Sequence, residues 1–253
     1  MGGGIRQVLI TRGSREKTLC PFPFFMLMYY ENIVKGRFIE RPNRFIAFCE
    51  IDGEIQRCHV KNTGRCKELL TDGAKVFLNH VPGEKRKTAY DLIGVIKGDK
   101  MINMDSYAPN IVFGEFLKSG GLGFVPDYIK PECTKGDSRF DFYFEHQGKK
   151  CFAEVKGVTL EQDGFCRFPD APTERGAKHM RGLKALIQEG YEAMAVFIIQ
   201  MEDVKSFCPN YETDPDFAKA LKEAADGGVK ILAYCCKTTE NSLFVDKAVK
   251  ILL

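Results

Sequence analysis

Two stretches decide the fold of this chain: Ser138-Arg139-Phe140-Asp141-Phe142-Tyr143-Phe144 and Cys151-Phe152-Ala153-Glu154-Val155-Lys156-Gly157-Val158. Both are rich in aromatic and β-branched residues and read as strands. Gln147-Gly148-Lys149-Lys150 lies between them and reads as the turn of a hairpin. Side chains two apart on a strand share a face, so Glu154 and Lys156 point the same way. Asp141 precedes Glu154 by thirteen residues, a spacing that lets a hairpin bring the two carboxylates together. Two carboxylates hold a hard cation such as Mg2+, and a lysine beside them orients a water or stabilises charge on a phosphate. A plain alternating strand gives the same Glu-x-Lys with both charges facing water, so the surroundings must decide.

Downstream of Asp99 the chain alternates helices and strands. Asn110 to Ser119 reads as a helix ended by Gly120-Gly121-Leu122-Gly123. Thr173 to Gln188 reads as another, with Thr173 as N-cap and Glu174 at its positive end. Ala193 to Gln200 is a continuous apolar run, the mark of a strand buried on both faces. Asp216 to Gly227 reads as a third helix and Val229 to Tyr234 as a further strand. The pattern is an α/β domain with a mixed sheet over residues 101–253. Glu115, on the first of these helices, is a candidate third carboxylate for the metal.

Residues 28–100 have a different texture, that of short strands. Arg44 to Ile51 is followed by Asp52-Gly53, a two-residue hairpin turn, and by Glu54 to Val60 returning antiparallel. Asn62-Thr63-Gly64 is a loop, Arg65 to Leu70 one short helix, and Ala74 to Leu78 and Thr88 to Lys97 are further strands. About five short strands in so few residues fit a small closed barrel of the OB type. Residues 1–27 have no sustained period and read as a disordered extension.

Charge divides along the same line. Residues 28–100 carry fourteen basic and ten acidic residues, residues 101–253 nineteen basic and twenty-three acidic. One part is suited to a polyanion and the other gathers carboxylates. Lys85-Arg86-Lys87 with Tyr90 offers charge beside a stacking surface, and Lys61, Asn62 and Arg65 add to it. Arg175 and His179 share a helical face beside Lys178 at a helix start, where a phosphate is favoured. The ten cysteines are scattered, with no Cys-x-x-Cys pair, which fits reduced thiols in the cytoplasm. No apolar run approaches the ~20 residues of a membrane span.

Read together, these segments resemble the sugar fermentation stimulation protein family from about Met28 to the C-terminus. The resemblance is carried by Lys61-Asn62-Thr63-Gly64, Lys85-Arg86-Lys87, Ser138 to Phe142, Glu154-Val155-Lys156-Gly157-Val158-Thr159-Leu160, and the long segment Phe168-Pro169-Asp170-Ala171-Pro172-Thr173-Glu174-Arg175-Gly176-Ala177-Lys178-His179. Lys61 stands where many members have proline. The resemblance implies an N-terminal OB-fold barrel and a C-terminal PD-(D/E)xK nuclease-like mixed α/β domain. It implies DNA as partner, bound without marked sequence preference, and a regulatory link to sugar (maltose) utilisation. Asp141, Glu154 and Lys156 match the nuclease core, with Glu115 at an acidic position of the preceding helix and Mg2+, or Mn2+ in its place, as the cofactor. Three readings follow: a Mg2+-dependent nuclease, a DNA-binding regulator without turnover, and an OB-fold saccharide or interaction module, the last disfavoured by the basic charge.

Overall fold

The computed structural model describes residues 28–62 and 64–253. The extension expected over residues 1–27 and the loop residue Thr63 lie outside the described residues.

The barrel forms from β2 (Ile33–Asn43), β3 (Ile46–Ile51), β4 (Glu54–Val60), β5 (Lys75–His80) and β6 (Tyr90–Lys97). They lie in the order β4-β3-β2-β5-β6, and a β4–β6 pairing closes the ring. Asp52 (φ 52°) and Gly53 (φ 83°) make the tight turn between β3 and β4, as their sequence dictates. Alternation along β3 sends Ala47, Cys49 and Ile51 inward, where they meet Cys58, Val60, Leu78 and Leu92. β7 (Lys100–Asn103) extends the sheet beyond β6 and leads out of the barrel. The short helix expected over Arg65 to Leu70 is absent: this segment is a turn in which the N–H groups of Leu69 and Leu70 both donate to the Cys66 carbonyl. Cys66 has φ +46°, a left-handed conformation that a right-handed helix cannot propagate through.

The second domain is a seven-stranded mixed sheet in the order β1-β16-β15-β13-β10-β9-β8. Its strands are β1 (Met28–Tyr29), β8 (Tyr128–Lys135), β9 (Ser138–His146), β10 (Lys149–Val158), β13 (Glu192–Ile199), β15 (Lys230–Thr238) and β16 (Ser242–Ala248). The central three, β10, β13 and β15, are parallel. α1 (Ala108–Lys118) covers one face, and α2 (Glu174–Gln188) with α3 (Pro215–Asp226) covers the other. Along β13, Met194, Val196 and Ile198 join α1 while Ala195, Phe197 and Ile199 join α2 and α3. Burial on both faces explains why that strand reads as an unbroken apolar run.

Two features lie outside what the sequence reading expected. Met28 pairs with Leu243, so the first described strand belongs to the C-terminal sheet and not to the barrel. A second small sheet forms from β11 (Leu160–Gln162), β12 (Phe165–Phe168), β14 (Ser206–Pro209) and β17 (Lys250–Ile251).

The two domains are stitched together by polar contacts. Lys97 of β6 pairs with Glu161 of β11 at 3.2 Å. Gln200, buried after β13, donates to Asn103 Oδ1 and to the Asp105 carbonyl, each at 3.0 Å.

Candidate functional site

β9 and β10 pair antiparallel from Lys149↔His146 to Ala153↔Phe142, and there their ladder ends. The next residue of β9 is Asp141, whose carboxylate takes over. Its Oδ2 accepts the Val155 N–H at 2.8 Å, and its Oδ1 accepts from Asn110 Nδ2 of α1 at 2.9 Å. α1 can approach this closely because β10 carries Gly157, where a Cβ would press on Gln200 and on Pro109 of the helix's first turn. Asn110 was not legible as a site residue, since no local pattern links it to Asp141.

One step along β10, Glu154 is buried on the α2 face, 2% exposed. Its Oε1 accepts from Lys156 Nζ at 2.6 Å and from His179 Nδ1 of α2. An ionised carboxylate only accepts, so Nδ1 carries the proton in this pair. The Oε2 of Glu154 is buried with no hydrogen-bond partner. Burial alone would raise the Glu154 carboxyl; the His179 hydrogen bond and the Lys156 charge outweigh it and hold the group below its ordinary value. Asp141 moves the other way. Burial, then the neighbouring Glu154 charge, push it up further than the Val155 N–H and Lys156 pull it down. Two carboxyls close enough to perturb one another, one of them presenting a bare buried oxygen, fit a hard divalent cation. Asp141 and Glu154 would be its protein ligands.

Glu115 does not join them. It lies five residues beyond Asn110, about 140° around α1, and its Oε2 accepts the Met28 N–H of β1 at 3.1 Å. Among the described residues no cluster of three His, Cys, Asp or Glu side chains is arranged as a metal cage. Of the three carboxylates read from the sequence, Asp141 and Glu154 lie together, and Glu115 bonds β1.

α2 begins where its chemistry foretells. Thr173 Oγ1 accepts the Gly176 N–H at 3.0 Å, and the Thr173 N–H donates to Asp214, the cap of α3, at 2.7 Å. Arg175 and Lys178 are exposed on this first turn and a half. His179, expected beside them on a phosphate, is instead buried and committed to Glu154.

On the barrel, Lys61 and Asn62 serve the fold. Lys61 Nζ sits 2.7 Å from Asp105 Oδ2, a carboxylate with no solvent exposure. Asn62 donates to the Met104 carbonyl at 2.9 Å and accepts the Gly64 N–H at 2.7 Å. Neither is free to grip a backbone phosphate, contrary to the sequence reading. In Lys85-Arg86-Lys87, Arg86 is exposed but engaged, pairing with Asp91 and donating to the Thr88 carbonyl. Lys85 and Lys87 stay exposed, and Tyr90 lies half-buried and tilted against His80, ring centroids 5.0 Å apart. Arg65 is exposed, and its main-chain N–H reaches across the domains to Asp170 Oδ2 at 2.8 Å.

A closed OB barrel followed by a mixed α/β domain, with an aspartate, a glutamate and a lysine meeting where two strands part, defines the class: an OB domain fused to a restriction-endonuclease-like domain. Profiles of known families divide the chain at the same place, matching residues 39–104 as the SfsA N-terminal OB domain and residues 107–242 as the sugar fermentation stimulation protein RE domain. The chain belongs to the sugar fermentation stimulation protein family. A homolog from Clostridium beijerinckii is 54% identical over 226 residues, 89% of this chain and 100% of that protein. One from Desulfitobacterium hafniense is 56% identical over 216 residues, 85% of this chain and 94% of the other. The solved structure of Pyrococcus furiosus SfsA in complex with Ca2+ matches with a TM-score of 0.82 at 28% identity, covering 90% of this chain and 99% of that one. Among the described residues no helix is long and apolar enough to cross a membrane.

Proposed function

We propose that this protein binds DNA largely without regard to sequence and hydrolyses phosphodiester bonds at a Mg2+-dependent site built on Asp141, Glu154 and Lys156. The observation that carries the reading is the bare, buried Oε2 of Glu154 beside Asp141, in a carboxylate whose other oxygen is already held by Lys156 and His179. A bound Mg2+, or Mn2+ in its place, supplies Lewis acidity and lowers the pKa of a coordinated water. The Ca2+ complex of the Pyrococcus furiosus relative, a hard cation with the same preference for oxygen, supports the choice of metal.

The chain's own residues do the rest. Lys156 fixes Glu154 and presents an ammonium group where charge develops on the phosphate. His179 locks the glutamate in its rotamer from behind. Arg175 and Lys178, exposed at the start of α2, meet the neighbouring phosphate. The free thiols of the nine described cysteines support a cytoplasmic location, and the family's name, sugar fermentation stimulation, supports a role in sugar use.

One observation favours a second reading, a DNA-binding regulator without turnover: Glu115 bonds β1, which leaves Asp141 and Glu154 as the carboxylates for the metal among the described residues. The two separate in one experiment. Plasmid and single-stranded DNA are incubated with wild type, Asp141→Asn and Lys156→Ala in Mg2+ or Mn2+, and binding is followed across salt. Cleavage by wild type alone supports the nuclease. Salt-sensitive binding by all three without cleavage leaves the regulator, and neither binding nor cleavage removes both.

A further inference from the structure

A groove of about 400 Å³ opens on the barrel where β2 ends and the turn after β4 returns, lined by Arg41, Arg44, Arg65, Lys67 and the apolar Phe38 and Leu70. Among the described residues no acidic side chain is part of its lining, and one carboxylate, that of Asp170, reaches its rim at the Arg65 N–H. Arg41 is its floor. Its guanidinium donates to the carbonyls of Asn62 (2.6 Å), Arg44 (2.8 Å), Gly64 and Arg65 (both 2.9 Å), which draws these four carbonyls together on one side of the groove. Arg44, Arg65 and Lys67 are exposed, and none of their side chains is in a salt bridge among the described residues. The guanidinium of Arg44 lies 4.8 Å from the ring of Phe45, which is itself 46% exposed. Three unneutralised cations around a concave wall, with an aromatic face at the edge, form the combination that holds a nucleic-acid backbone and stacks a base.

The groove is tied to the carboxylate site by one short segment. Asp170 accepts the Arg65 N–H at the groove rim, and Gly64 is packed so tightly on the Asp170 carboxylate that a Cβ there would collide with it. From Asp170 to the Thr173 cap is three residues, at most about 11 Å of chain, and from the cap to His179 is six residues, about 9 Å of helical rise. Rim and site are thus within about 20 Å, the span of about six phosphates along one strand of B-DNA.

The geometry points to this groove as a phosphodiester-binding site, with Arg44, Arg65 and Lys67 holding the same DNA strand that Asp141 and Glu154 address. The barrel serves as a clamp a fixed number of nucleotides from the scissile bond, with Phe45 as its stacking platform. The inference rests on the nucleic-acid reading above and names the surface that performs it, in place of Lys61 and Asn62.

The test measures binding of a fluorescent duplex of about 20 base pairs, long enough to cover the span, to wild type, to Arg44→Ala/Arg65→Ala/Lys67→Ala and to Lys85→Ala/Lys87→Ala. The groove variant is expected to lose affinity by about tenfold or more and to lower the slope of log K against log salt by about 2 to 3. Its thermal midpoint and its Tb3+ titration at the carboxylate site are expected to match wild type, because none of the three side chains makes a hydrogen bond or salt bridge among the described residues. Wild-type affinity and slope in the groove variant would overturn the assignment while leaving the nucleic-acid reading intact, as would a loss confined to Lys85→Ala/Lys87→Ala. A wild type that shows no salt-dependent binding would overturn both.

Discussion

The carboxylate of Asp141 replaces a strand: it accepts the Val155 N–H at 2.8 Å at the point where the β9–β10 ladder stops. β9 and β10 part here, and the side chain covers the donor that their separation exposes. A residue expected to hold metal therefore also holds the sheet together. Asp141→Ala strips the acceptor from both the Val155 N–H and the Asn110 amide, and is expected to cost about 1–3 kcal/mol in urea unfolding of the metal-free protein. Asp141→Asn keeps an oxygen for Val155 and is expected to cost less. Burial and the Glu154 charge already raise this carboxyl, so a neutral side chain suits the folded site. If Asp141→Ala proves as stable as wild type, the carboxylate does not close the sheet. The asparagine variant is accordingly the cleaner probe of chemistry, since loss of cleavage in the alanine variant mixes catalysis with folding.

Lys61 tests the division between fold and ligand binding on the barrel. Its ammonium pairs with Asp105, which also accepts from the Tyr30 hydroxyl at 3.1 Å and from the Tyr107 N–H at 2.9 Å. Removing one member of a buried pair strands the other charge, which typically costs about 3–5 kcal/mol. Lys61→Met is expected to show a loss of that size in urea unfolding, with the salt slope for DNA unchanged. A stable Lys61→Met with a slope lower by about one would return Lys61 to the nucleic-acid surface.

The contrast between Lys61 and Lys156 shows what the chain makes legible. Lys156 could be read because period-2 alternation puts it beside Glu154 within one strand, and a short hairpin adds Asp141. The partner of Lys61 lies forty-four residues away, beyond three more strands, and nothing near Lys61 marks it as spoken for. His179 fails to read for the same reason. Its helix position was plain from the Thr173 cap, but whether it faces water or Glu154 depends on how α2 packs on the sheet. The barrel was legible through Asp52-Gly53 and its alternation. The small sheet was not: its strands have two to four residues, and partners such as Phe165 and Ser206 meet only after α2 and β13 intervene. Arg65 to Leu70 misled because helix-forming residues there follow a left-handed Cys66, a backbone state that composition does not announce.

The Lys97–Glu161 bridge gives the domain junction a pH signature. Glu161 is buried, its Oε1 accepts the Gly164 N–H at 2.6 Å, and Lys97 donates to it from the barrel. Burial by itself would raise the carboxyl, but the Gly164 N–H and the Lys97 charge outweigh it and hold it below its ordinary value. A depressed carboxyl contributes stability above the unfolded-state pKa of about 4.3, and that contribution disappears as the pH falls through the lower folded-state value. Glu161→Gln keeps an oxygen for Gly164 but has no charge to lose. Wild type is therefore expected to be the more stable of the two at neutral pH. The gap between their urea midpoints is expected to hold from pH 7 to about 5 and to close as the pH drops below about 4.3. A gap that stays constant down to acid denaturation would mean that the ionised form of Glu161 contributes nothing to the junction.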